Sequence, residues 1–96
     1  MITGNAVAEK VYRRAPTVEE ATVGERAVLY HSGNGNAIVL NPTASLLWKR
    51  LETPADAGAL SRLLHERFPG IALERLESDA RAALNAFVKH DLVTYG

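Results

Sequence analysis

The sequence predicts an α+β domain in which a three-stranded antiparallel sheet precedes three helices. Three observations predict it. Short segments rich in β-branched residues fill positions 17–40, joined by turns too short for a parallel crossover. At Pro42 the apolar period becomes helical, and it stays so to about His90. Strands and helices are segregated along the chain, which excludes βαβ alternation.

Thr17 to Val23 reads as the first strand, stopped by Gly24. Arg26 to His31 reads as the second, with Val28 and Tyr30 on one face and Ala27 and Leu29 on the other. Ser32-Gly33-Asn34-Gly35-Asn36 is a hairpin connector rich in residues that tolerate positive φ. Ala37 to Leu40 is the third strand. Ile38 and Leu40 point one way; Ala37 and Val39 point the other.

The third strand runs straight into a helix. Asn41 is a good N-cap and Pro42 suits the first helical position. Leu40, Ala44, Leu47, Trp48 and Leu51 follow at helical spacing, so Trp48 is expected to anchor the core. Thr53-Pro54 with Asp56 predicts the cap of a second helix, which carries Leu60, Leu64 and Phe68 and stops at Pro69-Gly70. The third helix runs from about Leu73 to His90, with Leu73, Leu76, Ala80, Leu84, Phe87 and Val88 on one stripe. Leu92 and Val93 return as an extended tail. Helices of this order beside a small sheet look like a winged helix-turn-helix arrangement.

Residues 1–15 read as an N-terminal arm, ordered against the rest of the fold or a second subunit, and 16–96 as the domain. The arm leaves a homodimer by arm exchange open. With eleven basic and eleven acidic residues, formal net charge is zero, which gives no electrostatic footprint for nucleic acid or an anionic membrane. The chain has no cysteine, so disulfides and thiolate chemistry are excluded. Neither a signal-peptide core nor a bilayer-length apolar run is present, and a cytoplasmic location is expected.

No catalytic constellation is expected. His31, His65 and His90 lie in different elements and form no ligand pattern for a metal. The glycine-rich segment opens onto a strand, not onto a helix N-terminus as a phosphate cradle does. Glu74, Glu77 and Asp79 alternate with Arg75 and Arg81, as on a solvated face, and Glu77 with Arg81 makes a favourable i, i+4 pair. Ala80, Ala82, Ala83 and Ala86 leave a low strip beside the apolar stripe of the third helix. Composition alone fits helix filling and a groove equally.

Val28-Leu29-Tyr30, then Leu40-Asn41-Pro42-Thr43-Ala44 with Trp48, Leu60 and Leu64, Asp79 with Leu84, and Leu92-Val93 occur in an order that resembles the PqqD-like family. These are RiPP recognition elements, small peptide chaperones of modified-peptide biosynthesis. Asp91 departs from the pattern, since the family usually has Gly after the last helix. The resemblance implies a non-catalytic module without cofactor or metal. Its partners would be the leader segment of a ribosomally made precursor and a modifying enzyme, often of radical-SAM type, in pathways that include PQQ biosynthesis. By this resemblance the leader adds as a strand to Ala37, Ile38, Val39 and Leu40. It lies against a wall of Asp79, Ala82, Ala83 and Ala86, with Arg75 available for an acidic leader residue. That edge carries no charged residue to guard it. The alternative is a DNA-binding winged helix using Arg75, Arg81 and Lys89. Acidic residues on the same helix and a hairpin that precedes the helices argue against it.

Overall fold

The computed structural model describes residues 10–96. Of the expected arm over 1–15, residues 1–9 lie outside the described residues. In chain order the elements are β1 (Tyr12–Arg14), β2 (Val18–Val23), β3 (Arg26–His31), β4 (Asn36–Val39), α1 (Pro42–Arg50), α2 (Ala57–Arg67), α3 (Leu73–Lys89) and β5 (Val93–Tyr95). β2, β3 and β4 form an antiparallel sheet in that order, and β1 pairs antiparallel with β5.

The hairpins follow their turn residues. Gly35 takes φ +74° between β3 and β4, where its N–H donates to His31 O at 2.8 Å. Asn34 Oδ1 accepts from Asn36 N at 2.9 Å and tightens the same turn. The alternation of β3 buries Ala27 and Leu29 and leaves Tyr30 exposed. Beneath the sheet, Leu47 and Trp48 of α1 and Leu51 at its C-cap meet Leu60 and Leu64 of α2 and Leu76, Ala80, Leu84 and Phe87 of α3. Leu73 and Phe68, expected on the apolar stripes, are exposed at helix ends.

The junction between β4 and α1 has no loop because Asn41 and Ser45 close it. Asn41 Oδ1 accepts from Ala44 N at 2.8 Å. Ser45 Oγ, buried, accepts from Ala27 N at 2.9 Å and donates to Leu40 O at 3.3 Å. The hydroxyl thus replaces the last rung of the β3–β4 ladder and fastens the helix to the strand.

α2 begins later than the Thr53-Pro54 signal predicts. Tyr12 N donates to Ala55 O and Ala55 N donates to Tyr12 O, at 2.8 and 3.1 Å. This bridge holds residue 55 in extended backbone, so the cap falls to Asp56, whose Oδ1 accepts from Ala59 N at 2.8 Å. α3 ends in a Schellman motif: Leu92 N donates to Phe87 O and Asp91 N to Val88 O, with Asp91 at φ +57°. The ion pair on α3 is Arg75–Asp79, at 3.6 Å. Glu77 with Arg81 is not an ion pair; these exposed side chains sit in water, where such a pair gains little.

The end of the expected arm forms β1, paired with β5 from Tyr12↔Tyr95 to Arg14↔Val93. The Arg14 guanidinium lies 4.6 Å over the Trp48 ring and donates to Trp48 O. Glu20 Oε1 accepts from both Arg14 Nη1, at 3.2 Å, and Trp48 Nε1, at 3.1 Å. The indole N–H therefore has a partner, as a buried tryptophan requires. Among the described residues, no helix is long and apolar enough to cross a membrane.

Candidate peptide-binding groove

Among the described residues, β4 is hydrogen-bonded on one side only, to β3. Leu40 N donates to Ala27 O at 2.9 Å, so the Leu40 amide faces β3. Amide orientation alternates along a strand, and Ile38 therefore also faces β3. Ala37 and Val39 turn their N–H and C=O groups to the open edge. Unpaired edge groups are a template for another strand.

A groove of about 460 Å³ lies between this edge and α3. Its sheet side is Ile38, Val39 and Leu40; its helix side is Asp79, Ala82, Ala83 and Ala86. The small side chains of α3 keep that wall low, as the alanine strip suggested. The sequence reading did not assign Asn41, Thr43, Ala44 and Phe87 to the site, yet they also line the groove. The signal for Thr43 and Ala44 was present, since a helix entered directly from β4 must put its first turn beside that strand. Phe87 forms the floor and is buried at 1% exposure.

Ala37 and Arg75 fall outside this groove. Ala37 lines an adjoining hollow of about 320 Å³ with His31, Asn36, Ile38, His90 and Leu92. The two hollows share Ile38 and together follow β4 along its length. Arg75 lies one turn before Asp79 and is ion-paired to it, with its side chain 73% exposed. Among the described residues no group of three or more His, Asp or Glu side chains is placed to hold a metal ion.

Chemically, the site offers an extended backbone ladder, an apolar floor and polar side chains at its ends. That set suits a peptide in extended form, whose main chain pairs with any sequence while side chains select. The family model for coenzyme PQQ synthesis protein D (PqqD) matches residues 26–93.

The chain belongs to the PqqD family.

The PqqD match starts with the first residue of β3 and ends with the first residue of β5. It takes in the open strand, all three helices and the whole groove. Two solved structures share this PqqD fold. One is TbiB1 in complex with the TbiA(beta) leader peptide, at 21% identity and TM-score 0.78, covering 84% of this chain and 93% of that chain. The other is lasso peptide synthetase B1 complexed with the leader peptide, at 22% identity and TM-score 0.75, covering 91% of this chain and 99% of that one. No curated protein sequence matches the chain significantly.

Proposed function

We propose that this PqqD-family domain binds the leader segment of a ribosomally made precursor peptide and presents it to a modifying enzyme. The leader adds as a strand to β4 and lies in the groove against α3. The domain performs no chemistry of its own. The enzyme it serves is of radical-SAM type, and both act in the cytoplasm. The supporting observation is the unpaired edge of β4, with the amides of Ala37 and Val39 turned outward beside an alanine-walled groove. Family membership and the leader-bound state of the two similar structures support the same reading.

DNA binding is the weaker reading. α3 carries Glu74, Glu77 and Asp79 beside Arg75, Arg81 and Lys89, and the overall charge is zero. Phosphate contacts need a net basic face.

The test is an amide-shift titration of labelled protein with the leader peptide of a precursor encoded beside its gene. The expected shifts cluster at Ala37–Asn41 and along Asp79–His90. Shifts confined to the outer surface of α2, or none at all, would remove the proposal.

A further inference from the structure

The groove differs at its two ends. β4 and α3 run in opposite directions beside it: Leu40 and Asn41 lie by Asp79, while Asn36 and Ala37 lie by His90. Asp79 marks one end. Its carboxylate is 3.6 Å from Arg75 Nε and its side chain is 41% exposed. An exposed pair of that length is weak, and the carboxylate keeps further acceptor sites.

His90 marks the other end, exposed at the C-cap of α3. His31 lies in the same hollow, but both of its ring nitrogens are engaged. Nδ1 accepts from Gly33 N at 3.0 Å and Nε2 meets Thr17 Oγ1 at 3.3 Å. His90 is therefore the ring placed to donate to an incoming carboxylate. The rest of the helix-side lining is mostly apolar, Ala44, Ala82, Ala83, Ala86 and Phe87, with Thr43 as its polar member.

A strand added to β4 sends alternate side chains into the groove. Antiparallel addition is the commoner and slightly stabler mode. It sets groove-facing residues opposite Leu40, Ile38 and Asn36 in turn. Asp79 and His90 are separated by about 16 Å along a helix rising about 1.5 Å per residue. The first and fifth residues of a strand are about 13 Å apart. The difference, about 3 Å, is within reach of long side chains at the two ends of the strand.

Building on the leader-binding reading, we infer that the groove selects a segment of about five residues with a fixed polarity. A basic residue comes first, opposite Leu40 and beside Asp79. A bulky apolar residue comes third, over Ala83 and Ala86. A carboxylate-bearing residue comes fifth, against His90.

The test uses fluorescein-labelled peptides on the full chain at low salt, read by anisotropy. The reference carries Lys, Leu and Glu at alternate positions, separated by Thr and flanked by Gly and Ser. One comparison reverses the order, one replaces Leu by Ala, and one puts Gln at both charged positions. The reference binds best. The Ala peptide loses about tenfold in affinity. The reversed and neutral peptides lose about threefold or more. Asp79→Lys inverts the preference at the first position, so that a Glu-first peptide binds it better than a Lys-first one. A merely structural role of Asp79 predicts no such inversion. Equal binding of all charge patterns, or preference for the reversed order, overturns this inference and leaves leader binding standing. If neither these peptides nor the natural leader binds, both readings fall.

Discussion

Trp48 and Phe87 meet edge to face, with ring centroids 5.6 Å apart and ring planes at 76°. Phe87 is the floor of the groove and Trp48 is the one tryptophan of the chain. The indole, packed directly against that floor, is therefore a built-in reporter of groove occupancy. Filling the groove is expected to change Trp48 emission saturably, with the midpoint that amide shifts give. Emission that stays flat while Ala83 and Ala86 amides shift would show that Phe87 does not transmit occupancy.

Proline separates the two sides of β4. Val39→Pro removes an N–H that faces the open edge, where proline is tolerated. It is expected to cost less than about 1 kcal/mol of stability, yet to weaken leader binding about tenfold or more. Ile38→Pro removes an N–H that faces β3 and is expected to destabilise the hairpin by about 3 kcal/mol. Urea melts and peptide titrations of both variants check the contrast. Equal leader affinity for Val39→Pro and the unaltered protein would mean that the edge amides are not used.

Ser45→Ala leaves Ala27 N–H buried without its acceptor. The expected loss is about 1–3 kcal/mol, seen as a lower denaturant midpoint with an unchanged slope. Ser45→Thr keeps the hydroxyl and is expected to restore part of that loss.

Asp91 holds the left-handed position that ends α3. Asp91→Gly relieves the Cβ at that φ and is expected to stabilise the domain by roughly 0.5–1 kcal/mol. In a domain of this size, that is a rise of a few degrees in Tm on thermal unfolding. A fall in Tm would show that the Asp91 side chain stabilises the motif in another way.

Local signals read well in this sequence. Asn41-Pro42 marks α1 to the residue, and the connector around Gly35 marks the β3–β4 hairpin. Each depends on neighbours within a few positions. The misses come from distant partners. β1 has three residues and no period to detect; its partner β5 lies at the far end of the chain. The same strand reaches Ala55 and moves the start of α2 from Thr53-Pro54 to Asp56. Glu20 offered no hint that it would receive the Trp48 indole N–H. For the groove, the strand edge and alanine wall came from the family resemblance, since composition alone fitted plain helix filling equally. The floor at Phe87 was not legible, because a residue on the buried stripe also touches the rim only once three elements have packed.

The pairing of β1 with β5 has a topological consequence. Val11 and Gly96 exchange backbone hydrogen bonds, N to O at 3.2 Å one way and 3.3 Å the other. Residues 11 and 96 thus lie side by side at one spot on the domain. A unit with adjoining entry and exit can be spliced into a surface loop of another protein without stretching either junction. The same geometry puts anything joined directly at Val11 or Gly96 on a common side of the fold. Evolution or an engineer could thus join this unit to an unrelated enzyme as a plug-in cassette, with no redesign of its interior.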